Sequence, residues 1–238
     1  MKKIFDVNYI FQSIPSIASA LPLTLIIMIG SLFCGLIIGF IVTVMKLNKS
    51  TVINSIANGY VAFIRGTPPL LQLFLVFYGL PQVLGSVGID INDWDKVVFA
   101  IITFSLNSGA FLSEIMRSSY LAVDIGQREA ALSVGMSNIQ MLRRIIIPQA
   151  FDVAIPNLGN LVISLLKETS YVFTIGIIDI MGKAKLIGSN GYGVRQLESY
   201  IGLALIYWVL CIIIEKSIAL YEYKHNNKSK KEIGYNKC

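Results

Sequence analysis

The sequence has very little of the chemistry that most enzymes need. It contains a single histidine, His225, near the carboxyl terminus, and three cysteines, Cys34, Cys211 and Cys238. Two of the cysteines fall in apolar stretches and the third is the last residue, so they form neither a disulfide framework nor a metal-binding spacing. We therefore expect no catalytic residue, no metal site and no cofactor on this chain.

Charged residues are also scarce. They make up 14% of the 238 residues, whereas hydrophobic residues make up 55% and the mean hydropathy is +0.67. Soluble domains carry about a quarter charged residues, and one soluble core cannot bury this much apolar surface. The composition predicts an integral membrane protein in which residues 1–238 form a single transmembrane domain.

Apolar stretches of membrane length recur along the chain. A helix needs about 20 apolar residues to cross about 30 Å of hydrocarbon. Five stretches meet this length, near Ala20 to Met45, Asn58 to Val83, Val97 to Met116, Asn157 to Ile178 and Ser199 to Leu220. We therefore expect an all-α membrane protein with five transmembrane helices. A short amphipathic helix over residues 4–19 precedes them at the outer interface, and a polar, basic tail over residues 223–238 follows.

Two of these stretches are interrupted. Arg65 to Pro69 interrupt the second, and Lys167 and Glu168 interrupt the fourth. Proline removes a hydrogen-bond donor and bends a helix. The second helix is therefore expected to begin at the cytoplasmic surface and to straighten after Pro69.

Lys and Arg residues are unevenly divided between the connecting segments. If the amino terminus is outside, the larger share lies on the inner side, including Lys46, Arg65, Arg117 and the basic tail. Cytoplasmic loops carry an excess of these residues, so the sequence predicts an outer amino terminus and an inner carboxyl terminus. The net charge of +6 follows from this topology, and no nucleic-acid partner is expected.

The segment between the third and fourth stretches is too polar to span a membrane. Apolar residues recur at three- and four-residue steps from Leu132 to Ile146, with charged and amide side chains between them. This period predicts an amphipathic helical hairpin. Gly135 is expected to end its first helix in a left-handed conformation, and Ser137 or Asn138 is expected to cap the second.

A motif with a fixed spacing lies in this hairpin. It consists of Glu129-Ala130-Ala131, three residues, Gly135, nine residues and Ile145-Ile146-Ile147-Pro148. The spacing resembles the EAA signature of permease subunits in bacterial ATP-binding-cassette (ABC) importers, with Ile147 where leucine is usual. The resemblance implies a cytoplasmic coupling helix that docks onto an ATPase subunit through Glu129, Ala130, Ala131, Gly135 and Pro148. The two alanines are expected to leave a low surface for that contact.

Other runs are similar to permeases for polar amino acids, and the resemblance covers residues 15–222. The runs are Arg65 to Phe74, Asn107 to Ala110, Ser113 to Ile115, Gly126-Gln127, Pro148 to Ala150 and Leu166 to Ser170. Arg128 stands where the family often has tryptophan, and Glu168 where aspartate is common. The carboxyl-terminal half looks somewhat like the cystine-type members.

This resemblance implies a type I ABC importer in a bacterial cell membrane. Its partners would be a second permease copy, identical or sister, an ATPase dimer that binds ATP and Mg²⁺, and an extracellular solute-binding protein that delivers the amino acid. The chain has no nucleotide-binding loop of its own, so the energy must come from a partner.

Polar residues inside the third and fourth stretches are candidates for a substrate path, because ionisable groups in a bilayer are costly and mark pathways or internal pairs. The candidates are Asn107, Glu114, Ser164, Lys167, Glu168 and Thr169. The ammonium of an amino acid zwitterion suits Glu168 or Glu114. Its carboxylate suits Lys167, Asn107 or Thr169. In the alternative interpretation, Glu114 pairs with Arg117 one turn away, and Lys167 and Glu168 only hold helices together.

A channel or an ion-gradient-driven secondary transporter is the alternative function, with Glu114, Glu168 and Asp179 as relay carboxylates. Such a protein would need no ATPase and would often show repeated halves, yet no clear repeat is visible. A membrane-embedded enzyme would need a catalytic constellation that the sequence lacks.

A stripe of small residues marks a packing surface in the first stretch. Ser31, Gly35 and Gly39 recur at four-residue spacing, which lets helix backbones approach closely in lipid. The sequence leaves open whether the partner helix belongs to the same subunit or to a second copy.

Overall fold

The computed structural model describes residues 5–190 and 193–235, with side chains described as far as Lys224. The described chain is helical and contains no strand, as predicted. Its helices are α1 (Val7–Ala18), α2 (Leu21–Lys46), α3 (Thr51–Gly66), α4 (Pro69–Phe74), α5 (Leu80–Gly85), α6 (Lys96–Ala122), α7 (Ile125–Ser133), α8 (Asn138–Met141), α9 (Ile147–Glu168), α10 (Ile180–Ser189) and α11 (Gln196–Tyr235). Residues 1–4 lie outside the described residues, and so do the last residues of the predicted basic tail, 236–238.

Four helical segments of the described chain are long and apolar enough to cross a membrane. They are Leu21–Lys46, Lys96–Ala122, Asn138–Ile175 and Gln196–Lys224. A fifth span results if Thr51–Gly66 and Pro69–Gly85 are taken together, although they are bent by 109°. Four or five spans are therefore compatible with the five that the sequence predicts.

The break between α3 and α4 occurs at two consecutive prolines, Pro68 and Pro69. Thr67 and Pro68 are extended, with ψ angles of 144° and 137°, because a residue before proline is driven out of the helical region. The sequence predicted the break at this point, and α4 and α5 do continue in line after Pro69. It did not predict that α3 would turn so far away from them.

The described residues include two π-helical turns, and each ends two residues before a proline. The Leu75–Gly79 turn precedes Pro81, and the Leu142–Ile146 turn precedes Pro148. Because proline has no N–H to donate to the residue four positions earlier, a wider turn keeps the chain helical without that hydrogen bond. These turns join α4 to α5 and α8 to α9.

The small-residue stripe on α2 packs against α6 of the same chain. A Cβ atom placed on Gly35 would stand 2.2 Å from Ser108 Oγ, and one on Gly39 would stand 2.7 Å from Leu112 Cβ. On the facing side, a Cβ on Gly109 would stand 2.7 Å from Ile38. The two helices therefore cross at glycines, which settles the question that the sequence left open.

The core lies among α2, α4, α6, α9 and the 3-10 segment Thr169–Ile175. Ile27, Leu73, Phe104, Leu166 and Val172 are almost completely buried there. Other large apolar side chains stay exposed along the long helices, including Phe33 and Phe40 on α2. Exposed apolar surface on this scale is expected of helices that face lipid.

The predicted amphipathic helix is present as α1 and is attached to α11. Arg195 bridges Asp6 at 3.5 Å and Glu198 at 3.1 Å, and the backbone N–H of Asp6 donates to Glu198. Ile17 is fully buried, whereas Phe11 on another face of α1 is 63% exposed. We call this end of the bundle the α1 end, and the end where α6 leads into α7 the hairpin end.

Candidate functional site

The hairpin of residues 124–147 forms as the sequence predicts. Helix α7 ends at Ser133, and Gly135 follows with a φ of +80°. The N–H groups of Gly135 and Met136 donate to the carbonyls of Leu132 and Ala131, which is the Schellman pattern that satisfies a helix end. Glycine is favoured here because a side chain is strained at this φ.

The second arm of the hairpin begins with a capping box. The Ser137 hydroxyl accepts from the N–H of Gln140, and the Gln140 side chain accepts from the N–H of Ser137. Ser137 is therefore the cap, one of the two residues predicted for it. Pro148 lies in the first turn of α9, beyond the π turn that contains the buried Ile146.

The apolar side of the hairpin is exposed in this single chain. Leu132, Val134 and Ile139 are 48%, 74% and 78% exposed. Glu129 and Ala130 are exposed beside them. Apolar side chains clustered at a polar hairpin form a surface suited to contact with another protein.

Ala131 differs from the expectation that both alanines would be open to a partner. Its side chain is only 5% exposed, and α7 packs on the Leu142–Ile146 turn. Ala130 is therefore the alanine of the motif that a partner can touch, and Ala131 permits close packing inside the hairpin.

Arg128 ties the hairpin to the end of α6. Its guanidinium donates to the carbonyl of Tyr120 at 3.0 Å and lies 4.3 Å from the Tyr120 ring centroid. The carboxylate of Asp124 caps α7 by accepting from the N–H of Gly126. The role of Arg128 was missed from the sequence, where its departure from the usual tryptophan was the available signal.

Glu114 is paired within the chain. Its carboxylate accepts from Arg117 Nε at 3.0 Å and pairs with the ammonium of Lys46, which closes α2 at the hairpin end. The pairing with Arg117 was the alternative interpretation of the sequence and is present. Lys46 was not anticipated, because it lies 68 residues away along the chain. Substrate contact by Glu114 therefore requires this cluster to open.

A cavity of about 290 Å³ that is lined by both polar and apolar side chains lies between α6 and α9. Its walls consist of Asn107, Ser108, Phe111, Ile115, Asn157, Asn160, Leu161, Ser164, Leu165 and Glu168. Three of the predicted path residues, Asn107, Ser164 and Glu168, are therefore brought together. A cavity of this size between membrane-length helices suits a small polar molecule.

Two neighbouring candidates lie outside this wall. Lys167 is exposed beside it, since successive helical residues point about 100° apart. Thr169 is fully buried, and its hydroxyl donates to the Leu166 carbonyl at 2.7 Å. Thr169 therefore serves the helix end in this conformation.

Asn107 connects the cavity to the bend between α3 and α4. Its amide N–H donates to Gln72 Oε1 at 2.8 Å, and the Gln72 amide in turn donates to the carbonyl of Ile64 and to Thr67. Gln72 is 4% exposed. The sequence analysis gave Gln72 no role, although a lone amide in an apolar run was a usable signal.

The cavity side of α9 is polar along several turns. Asn157, Asn160, Ser164 and Glu168 follow one another at three- and four-residue steps, and the first three are exposed in the single chain. The two asparagines were also missed from the sequence, although this helical period would have revealed them.

Asp179 lies outside the membrane-length segments, at the start of α10. Its side chain is fully buried, and one carboxylate oxygen accepts from the N–H of Gly182 at 2.8 Å. Burial raises the pKa of Asp179 to about 6, because desolvation disfavours the charged form. The residue is not part of the cavity wall.

Across the described residues, no group of three or more His, Cys, Asp or Glu side chains is arranged to hold a metal ion.

Known proteins match this chain over most of its length. The chain is 41% identical to the L-cystine transport system permease protein TcyL of Bacillus subtilis, over 90% of this chain and 89% of that protein. It is 40% identical to the probable amino-acid permease protein YxeN of Bacillus subtilis, over 91% and 94%. The crystal structure of an amino acid ABC transporter with histidines superposes with a TM-score of 0.80 at 34% identity, covering 92% of this chain and 99% of that one.

A family profile covers the helices that form both the cavity and the hairpin. The profile is described as binding-protein-dependent transport system inner membrane component, and it matches residues 32–223. The chain therefore belongs to the family of inner-membrane components of binding-protein-dependent transport systems.

Proposed function

We propose that this chain is the subunit that forms the translocation path of an ABC importer for polar amino acids. The observation that carries the proposal is the cavity between membrane-length helices α6 and α9, because its wall includes the polar side chains of Asn107, Ser164 and Glu168. Polar side chains in such helices mark a substrate path by default.

The cavity chemistry supports a zwitterionic substrate. The carboxylate of Glu168 suits the ammonium group of an amino acid, and the amides of Asn107 and Asn160 suit its polar side chain or carboxylate. L-cystine is the first ligand to assay, because a relative named for its transport is 41% identical to this chain.

The exposed apolar hairpin supports an ATPase partner. We infer that an ATPase dimer, which binds ATP and Mg²⁺, docks on Glu129, Ala130 and the exposed Leu132, Val134 and Ile139. The hairpin then lies in the cytosol, the amino terminus lies outside, and a solute-binding protein delivers substrate at the α1 end. The other residues of the motif act inside the hairpin: Gly135 forms its left-handed turn, Pro148 begins α9, and Ala131 is buried in its packing.

A second permease copy accounts for the exposed polar face of α9. Asn157, Asn160 and Ser164 are exposed in the single chain. Unsatisfied polar groups that face hydrocarbon cost several kcal/mol each. A second copy, identical or sister, would enclose this face and close the cavity into a path.

Reconstitution tests the function. The permease and its ATPase are placed in proteoliposomes with the solute-binding protein, and uptake of labelled L-cystine and L-arginine is followed. We expect uptake that depends on ATP. Uptake that continues without ATP, or under a proton gradient alone, would support the secondary-transporter alternative and overturn the importer.

Paired variants of neighbouring residues test the path. Glu168→Gln should weaken uptake by about tenfold or more, because a charge-assisted hydrogen bond to the ammonium is lost. Lys167→Gln should lower uptake less, because Lys167 lies beside the cavity wall. Equal effects of the two variants would place the substrate elsewhere.

A further inference from the structure

Arg65 is the last charged residue before the bend between α3 and α4. Its guanidinium carbon lies 5.6 Å from the centroid of the Phe111 ring, and Phe111 belongs to the cavity wall. Phe111 stands near the middle of α6. The topology argument from the sequence placed Arg65 among the charges of the inner surface, whereas the structure places it beside the cavity.

The ion pairs of the described residues do not include Arg65. They join Lys46 and Arg117 to Glu114, and Arg195 to Asp6 and Glu198. The described contact of the Arg65 guanidinium is the face of Phe111. An arginine at the level of the middle of a membrane-length helix is costly without a counter-charge, and it indicates a pathway or a pair that forms at another stage.

The position of Arg65 relative to the cavity is fixed by hydrogen bonds. Gln72 donates to the carbonyl of Ile64, the residue before Arg65, and accepts from Asn107 on the cavity wall. These bonds hold the end of α3 against α6. Arg65 is an exposed residue and its guanidinium is in none of the described ion pairs, so its N–H groups can bind a ligand while the ring of Phe111 supports its plane.

The cavity therefore has a carboxylate on α9 and a guanidinium next to its α6 wall. We propose that Arg65 binds the α-carboxylate of the transported amino acid, with Phe111 positioning the guanidinium. This inference rests on the proposed function and adds a residue to it. It assigns to Arg65 the role that the sequence gave to Lys167, Asn107 or Thr169. Neither Arg65 nor Lys167 is a wall residue, but Arg65 contacts Phe111 of the wall. The planar guanidinium forms two parallel hydrogen bonds with a carboxylate, a geometry that the amide of Asn107 cannot supply.

The test compares ligands with and without the carboxylate. The permease–ATPase complex is purified without the binding protein, and the binding of L-cystine and L-arginine is measured by equilibrium dialysis against their methyl esters. Mildly acidic buffer keeps the α-amine of each ester charged. We expect the wild-type complex to favour acid over ester, and Arg65→Gln to reduce that ratio by about tenfold, since a charge-assisted pair is lost.

Two further variants separate recognition from folding. Lys185→Gln removes a cation that lies 4.7 Å from the Phe173 ring, away from the cavity, and should leave the acid-to-ester ratio unchanged. Arg65→Lys keeps the charge but loses the paired geometry, so it should retain part of the ratio. If Arg65→Gln does not assemble with the ATPase, the reduced ratio of Arg65→Lys still tests the assignment.

The outcomes distinguish this inference from the proposed function. An unchanged acid-to-ester ratio in an assembled Arg65→Gln or Arg65→Lys complex overturns the role of Arg65, even if ATP-dependent uptake by the wild type is normal. A wild type that neither binds nor takes up either amino acid overturns the proposed function, and the role of Arg65 with it.

Discussion

The ammonium of Lys46 pairs with the carboxylate of Glu114 and joins the hairpin ends of α2 and α6. Both side chains are largely buried, at 7% and 23% exposure, and Arg117 completes the cluster at 3.0 Å. The pair locks together the same two helices that cross at Gly35 and Gly39. The pair is therefore expected to contribute to the stability of the helix bundle.

Removal of Glu114 should destabilise the bundle because Lys46 is left buried without a partner. We expect Glu114→Ala to cost about 2–4 kcal/mol, somewhat below the full value for a completely buried pair. The double variant with Lys46→Ala should cost less than the sum of the two single variants. Thermal unfolding of the purified protein in detergent measures all three. An equally stable Glu114→Ala protein with weakened substrate binding would instead favour the substrate role.

The glycine crossing of α2 and α6 should tolerate no side chain at Gly39. A Cβ there would stand 2.7 Å from Leu112 Cβ and 3.3 Å from the backbone nitrogen of Ser113, and neither atom can rotate away. Gly39→Ala should therefore lower the unfolding temperature, with a cost of about 1–3 kcal/mol.

Gly59 provides the matched control, because it lies in the middle of α3 with nothing within 4 Å of its Cβ position. Gly59→Ala should leave stability unchanged or raise it by up to about 1 kcal/mol through helix propensity. Similar losses in both variants would mean that the crossing is looser than described.

The left-handed turn at Gly135 should be required for docking of the ATPase. A β-branched residue is strained at its φ of +80°, so Gly135→Val should distort the hairpin and abolish co-purification with the ATPase while membrane insertion continues. Gly88 has a φ of +84° and equally open surroundings, but lies in the loop before α6. Gly88→Val should suffer similar strain and still co-purify. Retention of the ATPase by Gly135→Val would count against the docking surface.

The buried Asp179 should make stability depend on pH. Its pKa is raised from 3.8 to about 6, so the folded state holds the proton more tightly than the unfolded state. The resulting stabilisation is present below about pH 4 and is lost as the pH rises through 6.

Asp179→Asn should therefore stabilise the protein at pH 7.5 by about 2 kcal/mol and raise its unfolding temperature. At pH 4, where Asp179 is protonated in the folded state and largely protonated in the unfolded state, the substitution should change the unfolding temperature much less. Asparagine keeps the oxygen that accepts from Gly182, so the α10 cap is retained. Thermal scans of both proteins at the two pH values check this. A difference that is equal at both pH values would show that ionisation is not the cause.

The hairpin was predictable from the sequence because its signals are local. The left-handed Gly135, the Ser137 cap and the helical period all act within a few residues of one another, and a fixed spacing between them carries the family resemblance. The same holds for the small-residue stripe of α2, which indicates close packing wherever it meets another helix.

The substrate path was only partly predictable because it depends on distant parts of the chain. Which of Lys167 and Glu168 faces the cavity is set by the rotation of α9 about its axis, and sequence alone does not give that rotation. Arg65 reaches Phe111 only because α3 turns by 109° from α4 and α5. The angle results from tertiary packing, whereas the two prolines specify only that a break occurs.

The contacts between Arg128 and Tyr120 attach the hairpin to the end of α6, so a movement of the hairpin is transmitted to α6. The helix has 27 residues and is therefore about 40 Å long, with the hairpin attached at one end and Phe111 near its middle. A tilt of about 5° at the hairpin would move the opposite end by roughly 3–4 Å and the cavity wall by about half as much. Because α2 packs on α6 through glycines and is joined to it by the Lys46–Glu114 pair, the two helices would move together as one rigid body.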